Sequence, residues 1–274
     1  AAAVALVLAV ASPVSAKSFT LPDADVQVRI EDDGALRIVE TITFDFFGDF
    51  TGGFREIPLR PGESISDITV TESGSAYGPG ASAELGSSGA PGTFGTTRTD
   101  VGVRVVWHYR ALDERRTFTI GYRLSGISVA YDDVVDVNLQ VWGSEWEVGL
   151  AQLTAEATLP GAASGPEYRV YGHPVWVRGD VTRLPRRAVL RALDVPPKQF
   201  VELRVVFPRS LLTSTAGAKV VSGDGLGRIV AEEQADSASY ERDRDRIRAA
   251  VDHIGRTILY LLAIAIGPAL LLIV

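Results

Sequence analysis

The sequence predicts a mainly β protein: an antiparallel β-sandwich with a second, smaller β unit, followed by a helical stalk and a transmembrane helix. Apolar and polar residues alternate with period two from Ser18 to about Arg209, which is typical of antiparallel strands with one buried face. Glycine and proline divide this region into many short runs. The sequence has no repeated βαβ pattern, so a nucleotide-binding α/β fold is not expected.

The predicted strands follow one another along the chain. The runs 26–30 and 36–46 form a first hairpin, joined by the Asp33-Gly34 turn. After the polar turn at residues 113–115, we expect Phe118 to Leu124 to be the hairpin partner of Val101 to Tyr109. Further alternating runs cover residues 135–141, 153–159, 175–177 and 201–207.

Two segments rich in small residues interrupt the β region. Residues 161–166 are expected to be the seam between a main sandwich, residues 17–160, and a smaller β unit, residues 161–212. The segment from Gly74 to Gly95 is rich in glycine, serine and alanine, which predicts a mobile surface loop.

The character of the chain changes after residue 212. Residues 213–256 are predicted to be a linker and a helical stalk, because the stretch from Leu226 to Ile254 lacks proline and carries charges of mostly alternating sign. Residues 257–274 are uncharged and almost wholly apolar, which predicts a transmembrane helix that is truncated in this chain.

The beginning of the chain is typical of an export signal. Residues 1–16 are mostly small and apolar and end in Val14-Ser15-Ala16, which fits a signal-peptidase site. The chain contains no Met, so we expect the segment to be the remnant of a longer signal peptide. Export would place residues 17–256 outside the cytoplasm of a membrane-anchored protein. The arginines of segment 242–256 would favour a cytoplasmic position for this segment under the positive-inside rule. A large domain that the signal peptide has already translocated overrides this preference.

Composition excludes several classes of function. The net charge of −7 and the pI near 5.1 argue against a nucleic-acid partner. The absence of cysteine excludes disulfides, thiol nucleophiles and cysteine metal sites. The sequence has no phosphate-binding or dinucleotide-binding glycine motif, and its three histidines are far apart in sequence. We therefore predict no cofactor, no metal and no catalytic residue.

The main acidic group consists of Asp132, Asp133, Asp136, Glu145 and Glu147. Carboxylates of this kind bind calcium or act as the acid and base of a glycosidase, and they also occur as solvated strand and loop residues. We name the first four as binding candidates and leave all three alternatives open.

Glu40 has the same parity as Leu36, Ile38 and Ile42, so regular alternation points it into the core. A buried carboxylate requires a partner, and Arg55 is the nearest candidate in the sequence. The alternatives are a β-bulge at Val39–Glu40 that turns the side chain outward, or a role in contacting a ligand.

Trp142 and Trp146 bracket a short turn. Exposed tryptophans stack on sugar rings or lie in protein interfaces, whereas buried ones belong to the core. Both residues are binding candidates, and both alternatives remain open.

Several motifs occur together in a recognisable order. They are the block Asp33–Glu40 with Ile42, Phe44 and Phe46, the segment Gly53–Leu59 with its Gly-x-x-Arg-x-Ile-Pro-like pattern, the later block Tyr122–Gly126, and then Asn138, Gly143, Trp146–Val148 and Leu159-Pro160. Over residues 19–210 the chain resembles domain-of-unknown-function family 2207, predicted bacterial membrane proteins. It departs from the pattern at Gln140-Val141-Trp142, where a Trp-Asn pair is expected before the glycine.

The resemblance implies an exported β domain, further membrane helices and no established activity. We expect a binding or protein-interaction module of the bacterial cell envelope, anchored in the membrane by its C-terminal helix, with an envelope protein or a glycan as partner. The alternatives are an envelope hydrolase that acts on glycan or peptide through the acidic group, and a structural ectodomain of a larger transport or signalling protein. Whether the protein is an enzyme stays undecided, with a non-enzymatic role preferred.

Overall fold

The mainly β class is confirmed by the computed structural model, which describes residues 17–271 and their side chains as far as Ile258. The described elements are β1 (Ser18–Ile30), β2 (Leu36–Phe47), β3 (Asp49–Pro58), β4 (Ser64–Glu72), β5 (Ser75–Ala76), β6 (Gly78–Pro79), β7 (Thr93–Arg98), β8 (Gly102–Leu112), β9 (Arg115–Ser125), β10 (Val129–Ala130), β11 (Val134–Trp142), β12 (Leu150–Thr158), β13 (Arg169–His173), β14 (Gly179–Leu184), β15 (Arg187–Val195), β16 (Val201–Pro208), a 3₁₀ turn (Arg209–Leu211), β17 (Lys219–Val220) and α1 (Leu226–Leu271).

The strands form three sheets within the described chain. An eight-stranded sheet has the order β14-β15-β12-β1-β2-β9-β4-β5, a five-stranded sheet the order β13-β16-β11-β10-β17, and a four-stranded sheet the order β3-β8-β7-β6. Most neighbours are antiparallel, but β1 pairs in parallel with β12, and so do the short strands β6 with β7 and β10 with β17. The expectation of purely antiparallel sheets is therefore wrong here, because the chain leaves the first sheet and returns beside β1 in the same direction.

Residues 161–212 share sheets with the preceding part of the chain. Strand β15 pairs with β12, and β16 pairs with β11. The chain divides into two compact units, residues 1–223 and 224–274, and all strands belong to the first.

The first predicted hairpin is confirmed, since β1 and β2 pair and Gly34 adopts a positive φ of 86° in the turn. The predicted pairing of β8 with β9 is wrong. Strand β8 pairs with β3 and β7, whereas β9 pairs with β2 and β4 in another sheet. Their apolar faces meet across the core instead, with the Tyr109 and Phe118 ring centroids 4.6 Å apart. Alternation alone identifies an inward face but not the sheet to which a strand belongs.

The glycine-rich segment 74–95 packs against the four-stranded sheet. A Cβ atom added to Gly95 would lie 2.0 Å from the Ala81 carbonyl oxygen, and one added to Gly89 would lie 2.2 Å from the His108 ring. His108 is consequently buried, with its Nε2 3.4 Å from the Ser82 carbonyl oxygen. Most of the segment is exposed, as expected of a surface segment, but its glycines also permit a close approach of backbone to sheet, and its mobility stays a prediction.

The second compact unit contains α1, a single helix that runs through the predicted stalk and into the apolar segment. Among the described residues, no helix combines the length and the apolar character needed to cross a membrane. The predicted signal-peptide remnant, residues 1–16, lies outside the described residues, as do residues 272–274 at the end of the predicted transmembrane segment.

Candidate functional site

A buried ion pair joins the eight-stranded sheet to the four-stranded sheet. Glu40 lies opposite Val26 and Ile120 in regular register, so the alternative of a β-bulge at this position is wrong. Arg55 of β3 donates from Nε to Glu40 Oε2 at 3.0 Å and from Nη2 to Glu40 Oε1 at 3.4 Å. The predicted pairing is confirmed, and Glu40 and Arg55 are only 4% and 6% exposed.

Tyr122 is the third member of this cluster, and the sequence reasoning missed it. Its hydroxyl group donates to Glu40 Oε1 from the neighbouring strand β9. Burial raises the pKa of Tyr122 well above its usual range, and the Glu40 carboxylate adds to the effect. The phenol therefore remains a hydrogen-bond donor at neutral pH. Its parity with Ile120, which faces Glu40 across the sheet, is the signal that could have found it.

The other side of the Arg55 guanidinium faces the loop after β11. Burial, the largest single effect, lowers the pKa of Arg55, but the interactions with Glu40, Tyr122 and Glu145 together outweigh it, and the pKa of Arg55 is raised. Nη1 donates to the Glu56 carbonyl oxygen, and Cζ lies 5.8 Å from the centroid of the Trp146 ring. A Cβ atom added to Gly143 would lie 2.1 Å from Glu145 Oε2 and 3.6 Å from Arg55 Nη1. Glycine at this position therefore lets the Glu145 carboxylate approach the guanidinium.

A cavity of about 510 Å³ opens beside the ion pair. Arg55, Glu56, Glu145 and Glu147 contribute charged groups to its lining. Aromatic side chains from β1, β2, β3, β8 and the loop after β11 form most of the remaining wall: Phe19, Phe44, Phe46, Phe50, Phe54, Trp107, Tyr109 and Trp146. We call this space the aromatic cavity. Of its rings, Phe54 is half exposed.

Glycine on β3 makes room for the largest ring of the wall. Gly53 lies directly opposite Trp107, and a Cβ atom on Gly53 would lie 2.8 Å from Trp107 Cζ2. The indole can therefore pack flat against the neighbouring strand. Its Nε1 and that of Trp146 are buried, and no described residue accepts a hydrogen bond from either. Trp146, which is partly exposed, therefore offers ring surface rather than a donor to the aromatic cavity, whereas Trp107 is only 1% exposed and contributes little accessible surface.

The two predicted tryptophans have different positions. Trp142 and Trp146 stack with centroids 4.6 Å apart and an interplanar angle of 7°. Trp142 is buried in the core, whereas Trp146 is partly exposed and lines the aromatic cavity. The core alternative thus holds for Trp142, and a binding role for Trp146 stays a prediction.

The structure divides the predicted acidic group. Asp136 accepts two hydrogen bonds from Arg204, at 2.9 and 2.7 Å, as a buried ion pair. Asp132 Oδ2 accepts from the Gly223 amide at 2.8 Å, and Asp133 Oδ1 accepts from the Val134 amide at 2.9 Å. None of these three lines the aromatic cavity. Among the described residues, no group of three histidine or acidic side chains could hold a metal ion.

The fold and site together define a mainly β domain with a concave aromatic site next to a buried Glu-Arg-Tyr cluster. Concave, mostly apolar sites with a few polar groups are typical of ligand-binding proteins. Within this class the chain belongs to a family of predicted membrane proteins. The DUF2207 N-terminal domain of that family matches residues 20–207, more than half of the chain, and confirms the resemblance found in the sequence.

No curated protein matches the chain. Solved structures show a remote similarity. A candidate nutrient-binding protein from Legionella pneumophila has 12% identity and a TM-score of 0.42, covering 69% of this chain and 67% of its own. The native leukotriene A4 hydrolase from Saccharomyces cerevisiae has 12% identity and a TM-score of 0.42, with 69% and 29% covered. An M1 zinc metallopeptidase from Deinococcus radiodurans has 10% identity and a TM-score of 0.37, with 68% and 42% covered. Similarity at this level assigns no activity to the chain.

Proposed function

We propose that the protein is a membrane-anchored, extracytoplasmic binding module of the cell envelope whose aromatic cavity receives a ligand or a side chain of a partner. The observation that carries this proposal is the cavity of about 510 Å³ with eight aromatic residues in its wall. This volume lies within the range of small-molecule sites, about 300–1,000 Å³. The half-exposed Phe54 gives the site an aromatic residue that incoming ligand can reach from solvent.

The apolar wall sets the expected strength of binding. Removing about 160 Å² of apolar ligand surface from water, about that of one aromatic ring, contributes about 4 kcal/mol. A single aromatic ring is therefore expected to bind with a Kd in the millimolar range, which corresponds to about 4 kcal/mol. A natural ligand with further contacts would bind more tightly.

The packing of the sheets supports the β-sandwich part of the proposal. Rings of the eight-stranded and four-stranded sheets are in contact, as in the pairs Phe46–Tyr109 and Trp107–Phe118. A Cβ atom on Gly172 of the five-stranded sheet would lie 3.1 Å from Leu190 of the eight-stranded sheet. Side chains that interdigitate between facing sheets are the defining feature of a sandwich.

Two observations support the topology. Strand β1 begins at Ser18, so cleavage after Ala16 would leave the whole strand in the mature protein. Residues 257–274 have the uncharged, apolar composition of a membrane anchor, and the family is one of predicted membrane proteins.

Fluorine NMR of the full chain tests the binding site. The four tryptophans would be labelled with 5-fluorotryptophan in maltoside micelles and assigned by single Trp→Phe variants. Benzyl alcohol is the probe. We expect the Trp107 and Trp146 signals to shift and saturate at millimolar concentration, while Trp176, which is 60% exposed and outside the aromatic cavity, stays unchanged.

A matched pair of variants completes the test. Trp146→Leu should weaken the binding of benzyl alcohol at least fivefold, whereas Trp176→Leu should leave it unchanged. Parallel, non-saturating shifts of all four signals would show partitioning into micelles and would refute the proposed site.

A further inference from the structure

We infer that the aromatic cavity selects an organic cation, a small alkylated ammonium group carried by a soluble ligand. This inference rests on the proposed binding function and specifies its ligand class. It follows from three features of the cavity: the ring faces in the wall, the balance of charges around it, and the engagement of Arg55 by carboxylates.

The ring faces supply the attraction for a cation. Indole and phenyl rings bind ammonium and guanidinium groups over their faces within about 6 Å of the centroid. Three of the protein's own cations already make such contacts with the wall, and one of them is Arg116, whose Cζ lies 5.7 Å from the Tyr109 centroid. Lys17 Nζ lies 5.8 Å from the Phe50 centroid, and Arg55 Cζ lies 5.8 Å from that of Trp146. The Nε1 atom of the partly exposed Trp146 is buried, so Trp146 contributes its ring rather than a hydrogen-bond donor to the cavity.

The charges around the cavity favour the same sign of ligand. Glu56 pairs with Arg104 at 2.5 Å, and Arg55 pairs with Glu40. Glu145 and Glu147 add two carboxylates to the lining without a further arginine or lysine there. Glu147 is exposed. Arg116 is paired with Glu72 and Glu114, so carboxylates outnumber cationic groups around the aromatic cavity even with Arg116 and the ammonium group of Lys17 counted.

Arg55 is a poor anchor for an anionic ligand. Its Nε and Nη2 donate to Glu40, its Nη1 donates to the Glu56 carbonyl oxygen, and the Glu145 carboxylate raises its pKa further. An anion would have to displace or approach these carboxylates. A cation would meet the aromatic faces and the surplus negative charge together.

Three probes of the same shape and different charge test this selectivity. Choline carries a trimethylammonium group, 3,3-dimethylbutan-1-ol is its neutral isostere, and 3,3-dimethylbutanoate is an anion of similar size. Each would be titrated into the full, fluorotryptophan-labelled chain in maltoside micelles. We expect choline to shift the Trp146 signal with a Kd at least tenfold lower than that of the alcohol, and the carboxylate to bind most weakly.

Glu147→Gln should weaken choline binding about threefold or more and leave the alcohol unchanged. Glu167→Gln removes the same charge from an exposed position outside the cavity and serves as the matched control. Equal affinities for choline and the alcohol, or an unchanged choline affinity in Glu147→Gln, would overturn the cation inference while benzyl alcohol binding upheld the proposed site. If none of the four probes moved Trp146, both the inference and the proposed function would be overturned.

Discussion

Replacing Arg55 with methionine should expose the energetic cost of a buried, uncompensated carboxylate. The substitution keeps much of the side-chain volume but removes both hydrogen bonds to Glu40 and the one to the Glu56 carbonyl oxygen. Glu40 is 4% exposed, so solvent cannot replace the lost partner. Removing one partner of a buried pair costs about 3–5 kcal/mol.

The size of the loss in stability follows from the free energy needed to protonate Glu40 in the variant. Without Arg55 the carboxylate keeps only the neutral Tyr122 hydroxyl as a donor, which does not balance its charge. We therefore expect it to take up a proton, which costs about 1.4 kcal/mol for each pH unit above the ordinary glutamate pKa of about 4.3. At pH 7 this protonation therefore costs about 3.7 kcal/mol. The lost hydrogen bond to the Glu56 carbonyl oxygen adds about 1 kcal/mol. At pH 5 the same protonation costs only about 1 kcal/mol.

The stability deficit of Arg55→Met should consequently shrink by about 2–3 kcal/mol between pH 7 and pH 5. The sign follows because the folded variant binds a proton that the unfolded chain releases, so its stability falls as the pH rises. Urea unfolding followed by tryptophan fluorescence measures it. All four tryptophans precede residue 224, so the signal reports on the β unit alone. Exposed Arg186→Met is the control and should change stability by less than about 0.5 kcal/mol. A deficit below about 1 kcal/mol at pH 7, or one independent of pH, would refute this reasoning.

Two further predictions concern other buried polar groups. Asp136→Ala removes the carboxylate that accepts two hydrogen bonds from the buried Arg204, and it should lower the free energy of unfolding by about 3–5 kcal/mol in the same assay. The control is Asp100→Ala at an exposed position, which should have little effect. A loss for Asp136→Ala near that of the control would contradict the assigned structural role. Tyr122 contributes stability that is present below the ordinary tyrosine pKa of about 10 and is lost as the pH rises towards its raised folded value, so Tyr122→Phe should flatten the fall in stability above about pH 10. Tyr168, whose pKa burial raises to about 12, should preserve part of that fall, and an identical alkaline slope in variant and wild type would contradict the assignment.

The ion pair shows what one-dimensional patterning can predict. Strand alternation places Glu40 in the core, and the cost of a buried carboxylate then requires a partner. Arg55 follows as the nearest basic residue in an apolar strand. Tyr122 was missed because a tyrosine in an alternating strand needs no polar explanation until the register of β2 and β9 is known.

The aromatic cavity could not be predicted in this way. Its walls come from Phe19, Phe44, Phe50, Trp107 and Trp146, which are brought together only when the chain passes between sheets. The chain also passes between sheets from β8 to β9. These strands are adjacent in sequence, which is why a hairpin was predicted for them. The acids at positions 132, 133 and 136 were likewise grouped with Glu145 by proximity in sequence, although they are engaged elsewhere.

Arg55 connects the two parts of the site, because Glu40 holds its guanidinium from the core while Trp146 lies over it at the wall of the aromatic cavity. A well-packed apolar pair in place of a buried ion pair is often neutral or stabilising, so stability alone does not explain the arrangement. Our hypothesis is that the pair fixes the position of the wall. On a Tyr122→Phe background, which leaves no buried hydroxyl without its acceptor, the double variant Glu40→Leu with Arg55→Met should then unfold at nearly the same urea concentration as the wild type. It should bind benzyl alcohol at least fivefold more weakly, with a broadened Trp146 fluorine signal. If the double variant is stable and binds the probe as the wild type does, the ion pair does not position the site.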